Sequence, residues 1–365
     1  MSLTNITSLE EDRVNYFKLV YGVFLQAISK TKLIKYYIQF DCFVICLQFA
    51  GDRLFQQMTP AFAHLKTKSV SHPHFTICLW DDVSTATTLP ILIRDLLELL
   101  HQKTWDFVAP RGEIRNYHDE RIYSGIHFNP DNLNLLDQQE SLGLFWIEDA
   151  NKLPYYEQGS PLRMLLAWWL QKHRYQYVHA GAIGKNEQGI LMLGKGGSGK
   201  STTTLSCLQD SFSYASDDYC AVSLEPIPTV HSLYNTAKLR QLEELQKFYK
   251  LHNKSNLLDI IEAEKSVVFL SNLFAEKIVK KFTLKATLLL SISHHQNAKL
   301  QKISPAKALK NFAPSSILQV PYANQDSLTL LSKLLKKIPC YELELSQDFQ
   351  ENVKLIDQLF NDEIS

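Results

Sequence analysis

Within residues 9–30, apolar side chains recur at Val14, Phe17, Tyr21, Phe24, Leu25 and Ile28, spacings that predict an amphipathic helix. Residues 36–49 and 75–80 are rich in Ile, Val, Phe and Tyr and predict strands, and residues 90–102 return to helical spacing. Ser160 and Pro161 offer an N-cap and a first-turn proline ahead of LRMLLAWWLQKH, a strongly apolar helix in which Trp168 and Trp169 read as core or domain-interface residues. Residues 177–183 and 189–193 form two short apolar runs. The five residues between them suffice for a hairpin and not for a parallel crossover, so the second strand is expected to be antiparallel to the first. Further helices are expected at 202–208, around 239–251 and at 328–337. Tyr341, Leu343 and Leu345 then alternate with Glu342 and Glu344, as in a half-buried strand.

Composition narrows the class. The 365 residues are 45% hydrophobic and 21% charged, with 13 glycines and 13 prolines, which suits a globular chain of two or three domains and excludes collagen-like and disordered classes. The 38 basic residues balance 38 acidic ones, so no global field would hold the chain on nucleic acid or an anionic membrane. Six scattered cysteines form no CxxC pair and have no histidine at ligand spacing, which argues against a disulfide framework and a structural zinc. The N-terminal MSLTNITSLEEDR lacks an apolar signal region, and no apolar run approaches the ~20 residues of a membrane span; the expected compartment is the cytoplasm.

Seven of the 13 glycines lie between Gly181 and Gly199, and none follows. Gly194-Lys195-Gly196-Gly197-Ser198-Gly199-Lys200-Ser201 fits GxxxxGK[ST], after the apolar run 190–193 and before the helix-compatible stretch from Thr202. In such a loop, backbone N–H groups and the helix start surround a phosphate chain. Lys200 would reach the β- and γ-phosphates of ATP, and the Ser201 hydroxyl would sit on Mg²⁺. Gly194 to Thr202 are therefore the candidate nucleotide-binding residues.

Two further elements accompany the loop. Asp217 and Asp218 stand in the strand-like run 214–222, where paired carboxylates are expensive unless they bind a metal, bind cations or move protons. Adjacent strand residues face opposite ways, so both serve one site only at a strand end or a bulge. His179 lies one short hairpin before the loop, placed to hydrogen-bond a catalytic carboxylate or a phosphoryl oxygen.

His179-Ala180-Gly181, the hairpin, GKGGSGKS and Ser216-Asp217-Asp218 together resemble the catalytic core of the HPr kinase/phosphorylase family, closely over about 50 residues and more weakly through the C-terminal part. The resemblance implies a phosphoenolpyruvate-carboxykinase-like kinase domain of α/β (α+β) architecture at 151–365; the helix and strand spacing before it reads as an N-terminal α+β domain of unknown role at 1–150. It implies ATP and Mg²⁺ as cofactors, Asp217 as the general base, Lys200 on the phosphates, Asp218 with Ser201 on Mg²⁺, and His179 in support of the site. The family's bifunctional members carry a further glycine-containing signature after the aspartates, linked to phosphorolysis and hexamer contacts. This chain lacks it and is more similar to the lone kinase-like relatives.

The expected activity is transfer of the γ-phosphoryl group to an aliphatic hydroxyl, foremost a serine of a protein or peptide. A small-molecule hydroxyl is the alternative acceptor, and an ATP-gated binding protein without catalysis is the alternative class. Nine lysines and one acid between Lys265 and Lys310 would either face an acidic acceptor or form a solvated surface.

Overall fold

The computed structural model describes residues 3–102, 108–109, 112–128, 131–239, 260–262, 265–292, 297–318 and 325–361. It is a mixed α+β protein. Two compact units divide it: residues 1–60, 66–158 and 162–169 form the first, and 61–65, 159–161 and 170–365 the second. The helix expected around 239–251 lies, from residue 240 onward, outside the described residues; Leu239 itself closes a strand. No helix among the described residues is long and apolar enough to cross a membrane. All six cysteines are free thiols, and only Cys42 is exposed.

In the first unit the helix Leu3–Lys30 buries Phe17, Val20, Phe24 and Ala27. Leu25, which the spacing assigned to the buried stripe, is 44% exposed, because Val20, Val23 and Ala27 complete that face instead. Residues 36–49 resolve into two strands, β1 (Leu33–Phe40) and β2 (Phe43–Ala50), joined by a tight turn in which Asp41 takes a φ of 48°. With β3 (Phe75–Asp81), β4 (Ile122–His127), β5 (Asn132–Asp137) and β6 (Leu142–Ile147) they form a sheet of order β1-β2-β3-β6-β5-β4.

The apolar helix starts at Arg163, not at the Ser160-Pro161 pair. Leu162, at a φ of 62°, breaks the helical path before it, and the Glu157 carboxylate accepts from the Leu162 N–H at 3.0 Å and pairs with Arg163 at 3.3 Å. Trp169 stacks on Phe75 with centroids 5.1 Å apart, and Trp168 meets Tyr123 edge-on. Both tryptophans are structural.

The second unit is built on β7 (Gln176–His179), β8 (Gly181–Lys185), β9 (Gln188–Leu193), β10 (Ser213–Ser216), β11 (Tyr219–Ser223), β12 (Thr229–Ser232), β13 (Thr236–Leu239), β14 (Ile260–Glu262), β15 (Lys265–Phe269), β16 (Lys281–Ile292), β17 (Lys299–Lys302) and β18 (Cys340–Leu345). The strands β8 and β9 are antiparallel, as their short link requires, and Asn186 and Glu187 form the turn with both φ angles positive. The link shortens from five residues to two because Gly184, Lys185 and Gln188 join the ladder.

β9 also pairs in parallel with β16. Its Ile190 and Met192 pack with the helices Lys200–Gln209 and Phe349–Gln358, while Leu191 and Leu193 pack with Pro305–Ala313 and Gln325–Lys337. A strand covered on both faces reads as a continuous apolar run, as this one does.

The strand path is β10-β8-β9-β16-β12-β11-β7. At the usual strand spacing, five steps would set β10 and β11 about 24 Å apart in a flat sheet. Yet only Asp217 and Asp218 join them, a reach of at most about 11 Å. Ala180 alone joins β7 to β8, five steps apart, so the apolar run 177–183 is two strands and not one. The sheet must therefore curl until its ends meet, and the seam is tied by the Ser216 hydroxyl donating to the Ala180 carbonyl at 3.0 Å. His179, Asp217 and Asp218 all lie at this seam.

Candidate functional site

The glycine loop leaves the end of β9. Gly194 has a φ of 151°, and a β-carbon there would lie 2.2 Å from Ser198 Oγ, so this conformation admits only glycine. Gly199, at 92°, opens the helix Lys200–Gln209 without any side-chain cap, which leaves its first-turn N–H groups turned to the loop. Lys195, Gly196 and Gly197 are exposed. Lys200 is buried, and its ammonium donates to the carbonyls of Gly194 at 2.8 Å and Lys195 at 3.2 Å. Burial lowers its pKa against the opposing pull of Asp217 and Asp218. Ser201 and Thr202 are half-buried in the first helical turn.

Asp217 and Asp218 occupy the break between β10 and β11, a strand end, which frees them from the opposite-face rule of a regular strand. Asp217 is 2% exposed, and its Oδ2 accepts the Lys238 backbone N–H at 3.1 Å. Its Oδ1 is buried and has no well-formed hydrogen bond among the described residues. Burial pushes its pKa up to about 6, with the Lys238 N–H, the Ser201 hydroxyl and the Lys200 charge pulling the other way.

Asp218 is fully engaged. Its Oδ1 lies 2.7 Å from His179 Nε2, and its Oδ2 pairs with the Lys238 ammonium. Burial opposes its charged form, but Lys238 and His179 overcome that and hold the carboxyl well below the usual range. His179 is set by direct pairing with Tyr219 across the β7/β11 ladder, by ring contact with Tyr219 at 5.1 Å, and by its N–H donating to Ser316 Oγ at 3.2 Å.

His179, Asp217 and Asp218 thus meet at the seam, and Lys200 and Ser201 interact with Asp217 from the start of the loop's helix. Lys238 was missed. It lies 20 residues beyond Asp218 on a strand with no local motif, and only the fold pairs the two. The lysine-rich stretch has a different outcome. Lys277 donates to the carbonyls of Leu208 and Asp210, capping the end of the Lys200–Gln209 helix far from the loop; Lys285 donates to Phe360 O and Lys307 pairs with Glu342. These three lysines do fold-holding work, so they supply no acceptor-facing charge.

Two buried polar atoms without a well-formed hydrogen bond among the described residues, Ser198 Oγ in the loop and Asp217 Oδ1 beside it, fit a site built for a phosphate chain and a proton-bearing group. No set of three or more His, Cys, Asp or Glu among the described residues could hold a metal by itself. Mg²⁺ is nevertheless compatible, since it binds through one or two protein oxygens together with phosphate and water.

No family model matches the sequence, and no curated protein matches it. Among solved structures the chain is similar to that described as the Hpr(Ser) kinase/phosphatase from Coxiella burnetii, at 12% identity over 52% of this chain and 90% of that one, with a TM-score of 0.29.

Proposed function

We propose that the second unit is an ATP- and Mg²⁺-dependent phosphotransferase of the phosphoenolpyruvate-carboxykinase-like kinase type, acting on an aliphatic hydroxyl, foremost a protein or peptide serine. The observation that carries this reading is the buried, unsatisfied Oδ1 of Asp217, on a carboxyl raised to about 6, next to the Lys200 and Ser201 end of a glycine loop. A base poised near neutrality beside a phosphate cradle is what hydroxyl phosphorylation needs.

The loop N–H groups and Lys200 would hold the phosphates, and Ser201 with Asp218 would hold Mg²⁺, whose chemistry is to neutralise charge on the β- and γ-phosphate oxygens. Asp217 Oδ1 would take the acceptor proton as the hydroxyl oxygen bonds to the γ-phosphorus and ADP departs. His179, hydrogen-bonded to Asp218, would fix that carboxylate in place. A peptide serine and a small hydroxyl compound present the same group to Asp217.

Lys200→Ala tests the reading. Calorimetry should show loss of ATP–Mg²⁺ binding, and ADP formation should fall with it. Unchanged binding and turnover would overturn the assignment. A nucleotide-gated binder without catalysis would bind ATP yet form no phosphorylated product with any acceptor.

A further inference from the structure

Lys238 stands on the carboxylate oxygen that a divalent cation at Asp218 must use. With Oδ1 taken by His179 and Oδ2 by the lysine ammonium, Asp218 has no uncommitted oxygen for a metal. The backbone under Lys238 is firmly held. Its own N–H donates to Asp217, Tyr214 OH donates to the Thr236 carbonyl at 2.7 Å, and the Thr236 hydroxyl donates to the Gly159 carbonyl at 2.6 Å. Only the side chain is free to move: four methylenes carry a point charge that exchanges partners more readily than a bidentate guanidinium. The ammonium also lies 5.4 Å from the centroid of the Tyr219 ring, an electron-rich face that gives it a second resting contact beside Asp218.

We propose that Lys238 is a displaceable counter-cation. It neutralises Asp218 in the metal-free site, yields Oδ2 to the Mg²⁺ that arrives with nucleotide, and stays tethered beside Asp217 as an extra positive charge for the transferring phosphoryl oxygens. The inference rests on the phosphotransferase reading and assigns a residue which that reading leaves unused. A divalent cation on Oδ2 would sit close to the ammonium already there and repel it, so the lysine and the metal compete for that oxygen. The strength of the lysine pair then sets the Mg²⁺ requirement.

The test is nucleotide affinity measured by calorimetry across a Mg²⁺ titration at fixed ionic strength, alongside ADP formation. Lys238→Gln removes the competing charge and should lower the half-saturating Mg²⁺ about threefold or more, while kcat falls about tenfold or more. Lys238→Arg, which pairs with Asp218 in fork geometry, should raise the half-saturating Mg²⁺ above wild type. A residue that only held the fold would not move that midpoint in opposite directions. An unchanged or raised midpoint in a Gln variant that melts like the parent overturns the proposal. Should the Gln variant fail to fold, the Arg variant decides: a midpoint above wild type supports the competition, and one at or below it overturns it. Wild-type nucleotide binding that is absent, or indifferent to Mg²⁺, overturns the phosphotransferase reading itself and the lysine's role with it. Magnesium-dependent wild-type binding with an unresponsive Gln variant overturns the lysine's role alone.

Discussion

Asp217 and Asp218 are neighbours in the chain with opposite protonation habits. Burial works against both carboxylates. It wins at Asp217, raised to about 6, and loses at Asp218, where Lys238 and His179 hold the charged form. One residue is thereby suited to accept a proton and the other to stay an anion.

Replacing each by Asn should therefore give different defects. Asp217→Asn is expected to bind ATP–Mg²⁺ nearly as the parent does and to lose roughly 10²- to 10⁴-fold in kcat, the usual contribution of a positioned base. Asp218→Asn strands the Lys238 charge and should weaken Mg²⁺-dependent nucleotide binding and lower the melting temperature. Calorimetry and steady-state kinetics on the pair check this; the reverse pattern exchanges the two roles.

The loop offers a matched pair of glycine substitutions. A β-carbon at Gly194 would collide with Ser198 Oγ at 2.2 Å, whereas one at Gly196 has nothing within 4 Å. Gly194→Ala should lose nucleotide binding with its circular dichroism preserved. Gly196→Ala should fold and bind like the parent, and equal behaviour of the two would contradict the loop geometry.

The seam makes a stability prediction. Ser216→Ala removes the hydroxyl that donates to Ala180 O and leaves that buried carbonyl only the weaker donor Cys220 Sγ at 3.7 Å. The expected loss is about 1 kcal/mol, read from urea unfolding of the intact chain. No change would mean that the seam closes without this bond.

His64 predicts a pH dependence. Its Nε2 lies 2.8 Å from Ser232 Oγ, and burial, with a smaller contribution from the Lys280 charge, lowers its pKa to about 3 from an ordinary 6.5. Below 6.5 the unfolded chain takes up a proton that the folded one refuses, so stability present above 6.5 declines as pH falls toward 3. His64→Gln keeps a polar side chain but cannot titrate, and its urea midpoint should fall less over that range than that of the parent. Parallel curves for the two would refute the assignment.

The loop and its flanking strand and helix were legible in the sequence because their information is local. GxxxxGK[ST], the apolar run 190–193 and the short link to residue 183 dictate backbone conformations within a few residues of themselves, and the antiparallel hairpin follows from chain length alone. The tryptophan helix starts later than the Ser160-Pro161 signal for a reason that is also local: the Glu157 carboxylate takes the Leu162 N–H, and the positive φ of Leu162 moves the first turn to Arg163. Curling of the sheet is not local at all. It brings β7 and β11 to β8 and β10 at one seam, and Lys238 reaches Asp218 there from β13 of a separate three-stranded sheet, a pairing that no spacing in the sequence announces, whereas Asp217 and Asp218 are adjacent in the chain. The protonation states were equally out of reach, since a carboxyl's pKa depends on burial and on the cation beside it, and both are set by tertiary packing.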